Sequence, residues 1–249
     1  MTNALQDKVA LVTGGSTGIG LGIAKRFVSE GAFVFISGRR QAELDAAVAE
    51  IGENVEAIRS DVANLADLEA LFETIRMRKG RIDVLVANAG GGVLARLGSV
   101  TEEQFDSMFA VNVKGVLFTV QKALPLLGAG SRVILVASTQ SVKASPGSSV
   151  YGATKAAVRN FARSWILELK EQGIQVNVLS PGPTETPGLK GAVPAADQQL
   201  RLDFFASNVP LGRVGAPDEI GKAAVFLASD ASSFVNGAEL FVDGGYAQV

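Results

Sequence analysis

The sequence predicts an α/β fold: a single doubly wound domain with a parallel sheet flanked by helices on both faces. Three observations carry that prediction. Strand-length apolar runs alternate with helix-length amphipathic stretches along all 249 residues, the pattern of consecutive β-α units. The strand runs are continuously apolar, as strands covered on both faces are. A glycine-rich turn, Thr13-Gly14-Gly15-Ser16-Thr17-Gly18-Ile19-Gly20, links the first such run to the first helix.

Taken in order, residues 9–12 (VALV) form a strand, and 20–30 a helix stopped by Gly31. The run 33–37 (FVFIS) is the second strand, 41–51 the second helix and 55–60 the third strand. A helix over 65–78 leads to a strand over 82–87, and helices around 101–127 lead to a strand over 132–137. A long helix over 151–172 precedes a strand over 174–179. A helix beginning near Pro217 and a strand over 239–242 complete the series. No linker or repeat interrupts it, so residues 1–249 are expected to be one catalytic domain. The main change of composition is 181–208, which opens with Pro181, Gly182, Pro183, Pro187 and Gly188. An insertion between strand and helix of this kind makes residues 183–208 a candidate lid.

Composition narrows the chemistry. With no Cys and no His, a Ser-His-Asp or Cys-His nucleophile, a Cys/His metal site and a thiol redox centre all lack their residues, and no metal is expected. Proton transfer falls to Tyr, Lys, Asp or Glu, and only Tyr151 and Tyr246 are available as tyrosines. The 23 basic and 25 acidic residues leave a net charge of -2, so nothing points to nucleic acid or an anionic membrane as partner. Residues 1–7 lack the cationic and apolar regions of a signal peptide, and no run approaches the length of a membrane span. The expectation is a soluble cytoplasmic protein.

Glycines in a strand-to-helix turn let backbone N–H groups approach a pyrophosphate, while the helix start offers its positive end to that anion, as in Rossmann-type domains. The alternative is an ordinary tight turn. The spacing of Gly14, Gly18 and Gly20 departs from G-x-G-x-x-G, and Thr-Gly-x-x-x-Gly-x-Gly resembles the short-chain dehydrogenase/reductase family. The resemblance runs over nearly the whole chain. It implies that Gly14, Ser16, Thr17, Gly18, Ile19 and Gly20 bind the cofactor's phosphates, and that Asp61 and Val62 contact its adenine. It places Asn88, Ala89 and Gly90 in a turn after the fourth strand, and Pro181, Gly182 and Thr184 beside the nicotinamide. Asn112, Ser138, Tyr151 and Lys155 match the family's catalytic residues, with Tyr151 and Lys155 also touching the cofactor.

The end of the second strand discriminates NAD from NADP, because a carboxylate there bonds a ribose hydroxyl and repels a 2′-phosphate. Here Gly38 is followed by Arg39 and Arg40, permanently charged forks suited to phosphate; the alternative is a solvated pair at a helix start. The implied cofactor is NADP(H). Tyr151 and Lys155, four apart, project from one helix face. A cation about 4 Å from the phenol, worth roughly 4 kcal/mol at an effective dielectric of about 20, would lower its pKa by about three units.

Within the family the chain looks most like bacterial NADP-dependent secondary alcohol dehydrogenases and carbonyl reductases of broad range. The alternatives are a 3-ketoacyl-carrier-protein reductase, which shares these residues, and a catalytically silent NADP-binding regulator. The neighbourhoods that dock an acidic carrier in that class hold one basic residue here, Lys170. On the candidate lid, Ala196, Leu200 and Phe204 recur at spacing four with Leu202 and Phe205 adjoining. They form a stripe that serves equally as core contact or as the wall for an apolar ketone or alcohol. Self-association as a homotetramer is expected. Val113, Val116, Leu117, Val120, Ala123, Leu124 and Leu127, with Ala153, Ala157, Phe161, Trp165 and Leu169, give two helices more than one apolar face. The family pairs these helices and the C-terminal strand between copies.

Overall fold

The computed structural model describes residues 3–249. Seven strands, β1 (Val9–Thr13), β2 (Phe33–Gly38), β3 (Val55–Arg59), β4 (Val84–Ala87), β5 (Arg132–Val136), β6 (Gln175–Pro181) and β7 (Glu239–Val242), form one sheet in the order β3-β2-β1-β4-β5-β6-β7. Every pairing is parallel, with Val12 opposite both Ile36 and Val86 at its centre. The sheet therefore needs a crossover between each pair of successive strands. These crossovers are α1 (Gly18–Ser29), α2 (Gln41–Ile51), α3 (Leu65–Lys79), α4 (Glu102–Phe109) with α5 (Gly115–Ala123), α6 (Ser149–Glu168), and finally α7 (Pro187–Lys190), α8 (Gln198–Asn208) and α9 (Pro217–Ala228).

The pleat of the strands divides the core in two. Along β5, Val133 and Leu135 join a layer with Leu71 and Ile75 of α3, Val120 of α5 and Val158 of α6. Ile134 and Val136 join the opposite layer, with Ile23 and Phe27 of α1, Leu44 of α2, and Ile220 and Ala224 of α9. This explains why the strands read as continuously apolar: both faces are dry. Glycine sets the spacing on the second face. A Cβ on Gly22 would stand 2.6 Å from the carbonyl oxygen of Pro217, and one on Gly221 would stand 2.7 Å from that of Gly22. Only bare backbone lets α1 and α9 meet so closely.

The element boundaries differ from the sequence reading in a few places. α1 begins at Gly18, because Thr17 is the last extended residue and the turn needs no further length. The stretch 101–127 is not continuous α-helix. A π-helical turn, Ala110–Lys114, separates α4 from α5, and a 3-10 turn containing Pro125 ends it. A capping box of Thr101 and Gln104 starts α4. No helix of the described residues is long and apolar enough to cross a membrane.

Candidate active site

The chain runs outward from β1 through β2 to β3, then returns to place β4 on the other side of β1. At such a reversal the connections diverge and leave a crevice beyond the carboxyl ends of the strands. A cleft of about 740 Å3 occupies that position, and the ends of β1, β2, β4, β5 and β6 all contribute to its lining. Its floor is fixed by Thr13 and Asn88. The Thr13 hydroxyl donates to the Val86 carbonyl and accepts the N–H groups of Asn88 at 3.1 Å and Ala89 at 3.0 Å. The Asn88 amide returns two bonds, to the carbonyls of Thr13 at 2.9 Å and Gly14 at 3.2 Å. This closeness dictates the glycines, since a Cβ on Gly20 would lie 2.1 Å from the Gly14 oxygen and 2.6 Å from the Asn88 amide. The backbone of Gly14, Ser16, Thr17, Gly18, Ile19 and Gly20 thus faces the cleft at the start of α1.

Ser138, Tyr151 and Lys155 meet beyond β5. Ser138 caps a 3-10 turn, Thr139–Ser141, by accepting the Gln140 N–H at 3.2 Å, and its side chain is hydrogen-bonded to Tyr151. That turn is supported from below, where Glu239 accepts from Ser141 and Ser180 and pairs with Arg159. Lys155 is buried, and its ammonium donates to the Val136 carbonyl at 2.9 Å. Burial lowers its pKa to about 8. The tyrosine departs from the sequence expectation. Burial raises the Tyr151 pKa, and the hydrogen bond with Ser138 only partly offsets that rise. Lys155 lies 5.7 Å from the ring centroid, so the anticipated drop of about three units does not occur here. Spacing four on a helix makes the two residues neighbours, but it says nothing of the dry surroundings that disfavour ionisation of either.

Asn112 sits in the π-helical turn and does not line the cleft. Its amide nitrogen donates to the Gly91 carbonyl at 2.8 Å and to the Thr154 hydroxyl at 3.0 Å, and its oxygen accepts the Gly91 N–H at 3.1 Å. Thr154 in turn donates to the Tyr151 carbonyl. Asn112 therefore ties the Asn88-Ala89-Gly90 turn to α6. The extra residue of a π-turn is what lets its side chain reach both.

At the other end of the cleft, Ser37, Gly38, Arg39, Arg40, Ser60 and Val62 form the wall. The Arg40 guanidinium pairs with Glu43. Arg39 is 70% exposed and only loosely placed, 3.9 Å from Asp61. Asp61 accepts the Ala63 N–H through its other carboxylate oxygen and is not among the residues lining the cleft. The hydroxyls of Ser37 and Ser60 are buried in this wall without a partner; sequence reasoning left out Ser60, because serine at a strand end carries no signal of its own. Unpaired hydroxyls, a backbone cradle closed to any Cβ and an adjoining arginine together fit the ribose and phosphates of a dinucleotide. Pro181, Gly182 and Thr184 line the β6 end, and Thr184 donates to the Gly182 carbonyl at 3.0 Å.

The lid stripe falls differently from the sequence reading. Leu200 and Phe204 are 71% and 62% exposed and Ala196 is exposed as well, so that stripe faces solvent. The side of α8 that borders the cleft carries Arg201 and Phe205. Their own spacing of four was legible, but counting apolar residues favoured the wrong face.

The chain is similar to known proteins over nearly all of its length. The family model described as enoyl-(acyl carrier protein) reductase matches residues 14–247. The oxidoreductase asL5 of Sarocladium schorii is 48% identical over 98% of both chains. An NADP-dependent (R)-specific alcohol dehydrogenase of Lentilactobacillus kefiri is 36% identical over 99% of both. A 3-oxoacyl-acyl-carrier-protein reductase of Thermotoga maritima is 35% identical over 97% of this chain and 98% of its own. The solved short-chain dehydrogenase/reductase from Serratia marcescens matches with a TM-score of 0.90 at 31% identity, covering 98% of this chain and 99% of that one. The chain belongs to the short-chain dehydrogenase/reductase family, oxidoreductases that bind a nicotinamide cofactor.

The depressed pKa of Lys155 has a measurable sign. Below about pH 8 the ammonium is protonated whether the chain is folded or not, so its burial penalty is constant. Between about 8 and the ordinary lysine value of 10.5 the folded state releases a proton that the unfolded state keeps, so stability rises with pH. Tyr151 acts oppositely, but only above the ordinary tyrosine value of 10.0. Unfolding in urea should show the wild type gaining stability from pH 8 to pH 10 relative to Lys155→Met, by about 2 kcal/mol. Parallel curves for the two proteins would contradict the assigned shift.

Proposed function

We propose that this chain is an NADP(H)-dependent oxidoreductase interconverting ketones and secondary alcohols. The observation that carries the reading is the meeting of Ser138, Tyr151 and Lys155 at one end of a cleft whose other end bears Arg39 and Arg40 and no carboxylate. When bound, the nicotinamide supplies or accepts the hydride. In the reduction direction Tyr151 gives its phenolic proton to the carbonyl oxygen, and burial keeps it protonated at neutral pH for that purpose. Ser138 holds the same oxygen by a hydrogen bond as negative charge develops there. Lys155 spends one donor on Val136; its remaining two serve the cofactor ribose, and its charge stabilises the tyrosinate left behind. Asn112 is a positioning residue for Tyr151 and Gly91.

The same reading assigns the cofactor's phosphates to the turn 14–20 and its 2′-phosphate to Arg39, since Arg40 already has Glu43. Val62 borders the adenine, and Asp61 braces Arg39 from behind. Asn88, Ala89, Gly90, Pro181, Gly182 and Thr184 enclose the nicotinamide half. Residues 1–249 act as one catalytic domain with 183–208 as its lid. The partners are a small ketone or alcohol and further copies of the chain. Phe161 and Trp165, stacked 4.8 Å apart on α6, supply an aromatic ridge for such self-association. A carrier-bound 3-ketoacyl substrate is the second reading, favoured by the Thermotoga relative; a higher kcat/KM on a ketoacyl thioester than on any free ketone would select it.

Tyr151→Phe should lower kcat by 10²-fold or more, the usual cost of losing a general acid, while NADPH binding stays within a few fold by fluorescence titration. A variant retaining more than about a tenth of the rate would remove Tyr151 from the role. Arg39→Ala should cut the preference for NADPH over NADH by roughly ten- to 150-fold, the range for a charge-assisted contact. Unchanged discrimination would shift the task to Arg40 or Ser37. Light scattering at micromolar concentration should give four times the chain mass, and a stable, active monomer would exclude the tetramer.

A further inference from the structure

Four cations line the cleft, Arg39, Arg40, Lys155 and Arg201, and no carboxylate does. The chain has slightly more acidic than basic residues, so the imbalance is local to the cleft. Arg39 and Lys155 have tasks in the proposed reaction and Arg40 is paired with Glu43, whereas Arg201 has neither. Its Nε is buried without a hydrogen-bond partner, and its guanidinium lies 5.3 Å from the centroid of the Phe205 ring. No carboxylate among the described residues pairs with it, whereas Arg26, Arg159 and Arg213 are paired with Asp218, Glu239 and Glu219. A guanidinium with one N–H out of water and unpaired, and no counter-charge beside it, is one that an arriving anion would satisfy. The Phe205 ring one turn away lies beneath the guanidinium and limits its freedom, leaving a planar fork suited to a two-oxygen acceptor.

Position separates Arg201 from the arginines of the cofactor wall. Arg39 and Arg40 follow β2, while Arg201 belongs to the segment after β6, with β1, β4 and β5 between. The end of that segment packs beside the C-terminus, where Gly244 and Gly245 approach Val209 and Pro210 and where Tyr246 enters the cleft lining. We infer that Arg201 receives an oxyanion, a carboxylate or phosphoryl group, carried by the substrate away from its carbonyl. The inference rests on the proposed ketone chemistry for its reaction but not for its binding. It replaces the apolar preference expected from the stripe, of which Ala196, Leu200 and Phe204 face solvent.

Two matched pairs of probes test it: levulinate with methyl levulinate, and para-acetylbenzoate with its methyl ester, each with NADPH. The wild type should favour at least one acid over its ester by about tenfold or more in kcat/KM. Arg201→Ala should lower activity on that acid by roughly ten- to 150-fold while leaving the ester and the KM for NADPH within about threefold. Arg201→Lys, which keeps the charge and loses the fork, should fall between. Acid and ester treated alike by the wild type, or lost together in Arg201→Ala, would overturn the inference. A raised KM for NADPH with an unchanged acid-to-ester ratio would overturn it too, assigning the anion to the cofactor's diphosphate. Binding of each probe to the NADPH complex, read by quenching of NADPH fluorescence, separates this from the reaction itself. If no ketone is turned over but the acid binds tighter and Arg201→Ala abolishes that difference, the anion site stands and the ketone reading falls; equal binding of acid and ester overturns the anion site.

Discussion

The Thr13 hydroxyl lies where two backbone turns, one after β1 and one after β4, would otherwise diverge. It accepts two N–H groups and donates to a carbonyl, so all of its hydrogen-bonding capacity goes to holding these turns together. Asn88 completes the clasp from the opposite side. Once the turns are held at this distance, no side chain fits at Gly20, and the backbone that opens α1 is left facing the cleft with its N–H groups uncovered. The Asn88-Ala89-Gly90 turn continues into Gly91, which Asn112 grips from the π-helical turn, and Thr154 passes the restraint to α6. The glycine turn and Tyr151 are thus two ends of one hydrogen-bonded frame.

That frame also explains the opposed pKa shifts. Lys155 is held in the apolar layer beneath β5 by a bond to the Val136 carbonyl, and Tyr151 lies in the same dry region. Desolvation acts on both, pushing the ammonium towards its neutral form and the phenol away from its ionised one. Before any ligand arrives, each group resists the charge that chemistry would require of the pair. A cation and an anion formed side by side in such surroundings favour each other far more than they would in water. At neutral pH the ammonium still carries its charge, since its pKa stays at about 8, while the phenol beside it is neutral.

Most of the fold was legible because its determinants are local. Continuous apolar runs such as 33–37 and 132–137 identify dry strands whatever they pack against, and Gly31 stops a helix by its own conformation. The glycine turn and the Tyr151-Lys155 spacing likewise declared themselves. What stayed hidden depends on environment. An extra residue in one helical turn leaves the apolar period around Asn112 nearly unchanged, so the π-turn cannot be seen in the sequence. Spacing four on α8 defines two faces, and only the position of β6 and the C-terminus decides which one the cleft sees. For the same reason Ser60 acquires meaning only once its hydroxyl is found buried and unpaired.

α8 contributes no buried residue to the protein, although it closes one wall of the cleft. Substitutions at exposed positions usually alter stability by less than about 0.5 kcal/mol, so the helix is nearly free of the constraints that govern the sheet beneath it. Selection can then redraw this wall one residue at a time without first strengthening the fold to tolerate the change. A scaffold divided in this way separates the inheritance of its chemistry from the inheritance of its substrate. The glycines and hydrogen bonds at the strand ends stay fixed by geometry, while the wall above them is open to rapid divergence between lineages.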